Sequence, residues 1–321
     1  MSVSINTIVY SELSNIFSAA AMNPIIPVWH HNFVDELKCI DTLLYFHRVV
    51  SVDTEFPGFL IRTPRRACEF HTYSNLKHNV DATTLIQLGL TLSDENGNIA
   101  GCWEFNFSFD VQTEVHTDDS LEFLKDHGID FDKLKNEGID VRFFSDAFGH
   151  ILAKHRNLIW ITFHGLYDMA YMLTMVTKNS LPHSSLEFTE LIANVFGCYV
   201  FDIKYIATFC DGLRKGQLGL EKLAKILRVK RVGGAHQAGS DSLLSAEVYF
   251  KLKAVYGIDE SKHVGFLYSI GNRIRRSVRP RVLYPSFTRH CQPKIYHPML
   301  VPPPFFHPFV LHPIRSNVMF L

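Results

Sequence analysis

Val49-Val50-Ser51-Val52-Asp53-Thr54-Glu55-Phe56-Pro57-Gly58 is the stretch around which the chain is organised. Its β-branched start predicts a strand, and Pro57-Gly58 ends it. Successive side chains on a strand point to opposite faces, so Asp53 and Glu55 project from one face at the strand's end. That arrangement suits a divalent cation. The same acidic-x-acidic pattern occurs at Asp130-Phe131-Asp132, where no apolar strand precedes it, so the pair gains meaning only from partners elsewhere.

Upstream, Phe33, Leu37, Ile40, Leu43 and Leu44 recur at helical spacing behind Asn32, which is read as the cap of a helix over 32–44. Downstream, residues 61–81 read as a basic segment in which Arg62, Arg65, Arg66 and Lys77 alternate with Phe70, Tyr73 and Leu76. Such a loop suits a nucleic-acid backbone, and an ordinary solvated loop has the same composition. Leu85–Leu92 and Trp103–Phe107 read as strands joined by the turn Asp94-Glu95-Asn96-Gly97-Asn98. With the first strand they predict a three-stranded antiparallel sheet.

From Ser120 to Leu152 the pattern is helical, with Ser120, Asp130 and Asp140 as starts and Gly128 and Gly138 as stops. Leu158–Phe163 is apolar enough for a strand buried on both faces, and leads into His164-Gly165-Leu166-Tyr167-Asp168 and a helix. A short strand at Tyr199–Asp202, a helix over 218–227 and a small-residue loop, Gly233–Asp241, opening a helix to about Val255 complete the pattern. The prediction is an α/β fold: a mixed central sheet, antiparallel hairpin strands plus parallel strands, with helices on both faces.

With 321 residues and 47% hydrophobic composition the chain can bury a large core. Lys plus Arg and Asp plus Glu number 32 each, so any polyanion site must be local. Six scattered cysteines without a C-x-x-C pair read as the reduced thiols of a cytoplasmic or nuclear protein and argue against a structural zinc site. Residues 19–29 are broken by Pro24 and Pro27 and too short to span a bilayer, so no membrane association is expected. Residues 1–28 read as a loosely attached extension and 29–270 as the folded domain. Residues 271–321, which carry nine of the fourteen prolines between Pro280 and Pro313, read as a poorly ordered tail rich in Pro, His and aromatics.

In such sheets functional groups gather near strand ends. Asp53 and Glu55 lie at one strand end, Asp168 just past another and Asp241 in the first turn of a late helix, and four carboxylates converging without Lys or Arg partners would repel unless cations offset the charge. Hard oxygen ligands select Mg²⁺ or Mn²⁺. Two such ions could activate a water and stabilise the leaving oxygen of a phosphodiester. His236 could take that water's proton, or be a loop histidine bonded to backbone.

Asp53-x-Glu55, Phe163-His164-x-x-Tyr167-Asp168 and His236-Gln237-Ala238-Gly239-Ser240-Asp241-Ser242-Leu243-Leu244 resemble the three motifs of the DEDD exonuclease superfamily, in the variant with histidine in the third motif. With Ser51–Gly58, Ile86–Thr91 and Trp103–Phe107, the chain resembles the catalytic deadenylase subunit (Pop-two/Caf-one type) of the multisubunit mRNA deadenylase complex, with a plant-like flavour, from about Trp29 to Ile270. It departs from the usual pattern at Gly165-Leu166, where the family has Ser-Gly, and over Arg62–Tyr73.

The resemblance implies an RNase H-like fold and a metal-dependent 3′→5′ exoribonuclease that shortens poly(A) tails and releases 5′-AMP. Asp53, Glu55, Asp168 and Asp241 carry over as ligands of two divalent cations, and His236 as general base. Single-stranded RNA, a large scaffold subunit and a second deadenylase are the implied partners. Two rivals remain: a DEDD exonuclease acting on other RNA or DNA ends, and a catalytically weak RNA-binding or scaffold-docking subunit.

Overall fold

The computed structural model describes residues 24–276. The expectations for the first 23 residues and for the tail beyond 276 lie outside the described residues. Along the chain run β1 (Ile26–Val28), α1 (Phe33–Leu43), β2 (Val49–Glu55), α2 (Glu69–Ala82), β3 (Gln87–Ser93), β4 (Ile99–Asn106), α3 (Asp118–Asp126), α4 (Phe131–Glu137) and α5 (Val141–Lys154). Then come β5 (Ile159–Thr162), α6 (Leu166–Thr177), α7 (Ser185–Val195), β6 (Val200–Asp202), α8 (Ile203–Ile206), α9 (Leu220–Leu227), α10 (Ala238–Tyr256) and α11 (Glu260–His263).

The six strands form one sheet in the order β1-β4-β3-β2-β5-β6. β2, β3 and β4 are antiparallel, as their alternation predicts, while β5 and β6 join β2 in parallel. The Asp94 side chain makes the hairpin turn by accepting from the Asn96 and Asn98 amides at 2.9 and 2.8 Å. Alternation then sorts the two faces. Val50, Val52, Leu88, Leu90, Trp103 and Phe105 turn to the core shared with α1, α2, α5, α6 and α7, whereas Val49 and Ile161 turn to that under α9 and α10. Trp103 and Trp160 are wholly buried, with their indole N–H groups bonded to Glu36 and to the Phe196 carbonyl. Among the described residues no helix is long and apolar enough to cross a membrane.

Three local expectations are corrected. Residues 69–82, read within a basic loop, form α2, whose buried Tyr73, Leu76 and Val80 lie three and four residues apart. Asn32 does not cap α1: its Oδ1 accepts from the Trp29 amide and its Nδ2 donates to the Pro27 carbonyl. Ser120 lies inside α3, which begins after Thr117. Asp130 and Asp140 do cap α4 and α5, accepting from Lys133 and Arg142 amides. The sheet also begins earlier than expected: Ile26–Val28, read as the end of an extension, pair in parallel with Trp103–Phe105.

Candidate active site

The site is built at the end of β2, where helices from both faces of the sheet arrive. Asp53 and Glu55 lie opposite Gly89 and Gln87 of β3. Gly89 permits the decisive approach. A Cβ there would stand 1.9 Å from the Ala238 carbonyl oxygen, so only glycine lets the start of α10 settle on the strand backbone. Gln87 Oε1 accepts from the Ala238 amide at 3.3 Å and Glu104 Oε2 from the Gly239 amide at 3.1 Å. These bonds take up free amides of the first turn of α10 and aim Asp241 at β2. Ile25 packs over Gly233 and Gly239 of the same loop, with room for no larger side chain at either.

Asp168 comes from the other face, on the first turn of α6, and its Oδ1 accepts from Thr54 Oγ1 at 2.6 Å. Its placement depends on Asp202, which is fully buried at the end of β6. The Asp202 carboxylate accepts from the amides of His164, Gly165, Lys204, Tyr205 and Tyr268 and so shapes the turn into α6. His164 and His236, each just ahead of a site helix, hold left-handed backbone with φ of 62° and 59°.

The five predicted site residues therefore meet. Glu55, His236 and Asp241 can bring one ligand atom each to within 4.8 Å of one another, with His236 the most exposed. Asp168 and Asp241 are buried, and Asp53 and Glu55 are partly open to the cleft. Burial, reinforced by the charges of Asp168, Asp241 and Glu55, holds the Asp53 carboxyl well above the usual carboxylate range. Glu55 is pushed up to about 8 by burial and by Asp241, Asp168 and Glu104, and Asp168 up to about 7 by burial, against the Thr54 bond. Burial also lowers His236, with His127 and Arg231 acting the same way and Asp241 opposing. A neutral imidazole that can accept a proton results.

The expectation that the carboxylates lack a basic partner is corrected. Arg231 pairs through Nη1 with Asp241 and through Nε with Glu221 at 2.9 Å, and it also bonds Ser240 Oγ at 2.9 Å. One guanidinium still leaves the acids in excess. Hard, buried, crowded oxygens of that kind fit divalent cations, so the donor set of Asp53, Glu55, Asp168 and Asp241 is chemically suited to them. Sequence reading missed Arg231, Glu104 and Asp202. Glu104 sits within the quoted Trp103–Phe107 strand, on the face opposite Trp103 and Phe105, and that parity was the available signal.

A mixed sheet with helices on both faces and acids gathered at the end of β2 makes this an RNase H-like fold of the nuclease class. A model of the CAF1 family ribonucleases matches residues 28–147 and 144–249, and the chain belongs to that family. The probable CCR4-associated factor 1 homolog 5 of Arabidopsis thaliana is 43% identical over 227 residues, covering 70% of this chain and 81% of its own. The solved structure of S. pombe Pop2p in its Mg²⁺- and Mn²⁺-bound form is 36% identical with a TM-score of 0.71, covering 77% of this chain and all of that one. Yeast CAF1, co-crystallised with the NOT1 MIF4G domain, matches at 29% identity and a TM-score of 0.65, over 76% of this chain and 96% of its own.

Proposed function

We propose that this chain is a metal-dependent, poly(A)-specific 3′→5′ exoribonuclease, the catalytic subunit of a deadenylase complex, that releases 5′-AMP. The convergence of four carboxylates and a neutral histidine at the end of β2 carries this reading. Family membership and the likeness to S. pombe Pop2p support it. The name of the Arabidopsis relative and the yeast complex with NOT1 support a scaffold subunit and a second deadenylase as partners. The thiols of Cys39, Cys68, Cys102, Cys198 and Cys210 are unpaired, which supports work in cytoplasm and nucleus.

Asp53, Glu55, Asp168 and Asp241 would hold two Mg²⁺ or Mn²⁺ ions. When bound, such ions supply charge neutralisation at the phosphate and acidify a water. The chain's residues do the rest. His236, neutral near pH 7 and exposed beside Glu55 and Asp241, accepts the proton of the attacking water. Arg231 fixes Asp241 from behind, and Thr54 fixes Asp168.

Incubating 5′-labelled RNA that ends in oligo(A) with Mg²⁺ or Mn²⁺ tests the reading. A one-nucleotide ladder that stalls at the first non-adenosine is expected, and Asp53→Ala or Asp241→Ala should abolish it while leaving circular dichroism unchanged. Equal digestion of DNA or mixed RNA would favour a broader exonuclease. No digestion by the wild type would leave a docking subunit.

A further inference from the structure

Beside the acids, and touching His236, lie two rings that the mechanism above does not use. Phe123 near the end of α3, His127 just after it and His236 touch pairwise, with centroids 4.2 Å apart for Phe123 and His127, 4.8 Å for Phe123 and His236, and 4.7 Å for His127 and His236. Since His236 also reaches Glu55 and Asp241, the aromatic group begins one ring away from the carboxylates. Phe123 keeps 43% of its surface in water, while its neighbour Leu124 turns into the core. We propose that Phe123, backed by His127, is the wall on which the base of the nucleotide in the cleft stacks, with purines held better than pyrimidines. This rests on the ribonuclease reading.

Three features set the wall in place before any ligand arrives. His127 Nδ1 donates to the Phe123 carbonyl at 2.7 Å, which clamps the two rings together. Gln237 Nε2 donates to the His127 carbonyl at 3.2 Å and ties them to the loop carrying His236. At its other end α3 is tied to β2's exit, where the Thr117 amide donates to the Pro57 carbonyl at 3.0 Å and a Cβ on Gly58 would stand 2.1 Å from Ser120 Oγ. A rigid aromatic face loses little entropy on binding. An uncharged contact also suits the substrate, because every base offers a π-face, and the larger purine overlaps more of the ring.

A second exposed ring supplies the control. Phe59, also 43% exposed, rests on Phe56 and Tyr167, whose chain neighbours are Glu55 and Asp168. Steady-state hydrolysis of RNAs ending in oligo(A) or oligo(C) by the full chain, in Mn²⁺, would compare wild type with Phe123→Ala, Phe123→Leu, Phe123→Trp and Phe59→Ala. Phe123→Ala and Phe123→Leu should each raise KM for oligo(A) about tenfold, as stacking on an aromatic ring is lost, with kcat within about twofold and a smaller effect on oligo(C). Phe123→Trp should restore the wild-type KM. Leu performing as well as Phe, an unchanged KM for the alanine variant, or a loss confined to Phe59→Ala would overturn the wall while leaving the ribonuclease reading intact. A wild type that digests neither RNA would sink both.

Discussion

Replacing Glu55 by glutamine should stabilise the metal-free protein by an amount that grows as pH rises from about 4.5 to 8. In the folded chain the Glu55 carboxyl titrates near 8, against an ordinary value of 4.5, because burial and three neighbouring acids disfavour its charge. A folded-state pKa above the unfolded one means that the native state holds the proton longer. Its contribution is therefore complete below about pH 4.5 and is lost as pH rises toward 8. One unit is worth about 1.4 kcal/mol, so the full shift corresponds to ~5 kcal/mol. The carboxyl is partly open to the cleft, and screening leaves about 2–3 kcal/mol. For a domain of this size that is roughly 5–10 °C in melting temperature.

Thermal unfolding in EDTA at pH 5 and pH 8 measures it directly. At pH 5 the two proteins should melt close together, since little of the Glu55 contribution has yet been lost; at pH 8 the glutamine variant should melt clearly higher. Adding Mn²⁺ at pH 8 should reverse the order, because the amide is a poorer ligand than the carboxylate. If Glu55→Gln melts lower than wild type in EDTA at pH 8, or the gap is the same at both pH values, the account of charge crowding is wrong.

Other substitutions probe how the acids are held. Gly89→Ala puts a methyl against the Ala238 carbonyl and should push the start of α10 off the strand. A cost of about 1–3 kcal/mol in urea unfolding is expected, with a fall in hydrolysis rate of about a hundredfold from the displaced Asp241. Asp202→Ala strands five backbone amides and should cost about 3–5 kcal/mol by the same measurement, whereas Asp202→Asn should recover part of it. Arg231→Met removes the partner of Asp241 and should lower metal-free stability by about 1–3 kcal/mol. Millimolar Mn²⁺ should restore most of that loss, and calorimetric melts with and without the ion would show it.

Much of the site is legible in the sequence because its parts are local. Asp53 and Glu55 announce themselves by strand parity, and Asp168 and Asp241 by following a buried strand and a small-residue loop. The central strands are equally plain, since Leu88, Leu90 and Leu92 alternate and Asp94–Asn98 is turn chemistry. What escapes is what depends on distant partners. Arg231 is one of three basic residues in Arg228-Val229-Lys230-Arg231 and Asp202 merely closes a short strand, and only folding brings the first to Asp241 and the second to five amides. Helix α2 hides because few of its side chains are apolar; one of its buried positions is Asn79, which earns its place by bonding Ile61 and Tyr167. β1 escapes because it is three residues long and contains Pro27, which an edge strand tolerates.

That first strand has a consequence for how the protein is made. Ile26 finds its partner in Trp103, and Ile25 lies against Gly233 and Gly239 at the far end of the domain. During synthesis, therefore, β1 can pair with β4 once that strand is made, but Ile25 beside it finds its seat only after the start of α10 has been translated. The nascent chain can assemble β2, β3 and β4 while the segment that carries His236 and Asp241 is still unmade. The candidate site is complete only when Asp241, from late in the domain, reaches Asp53 and Glu55 near its start.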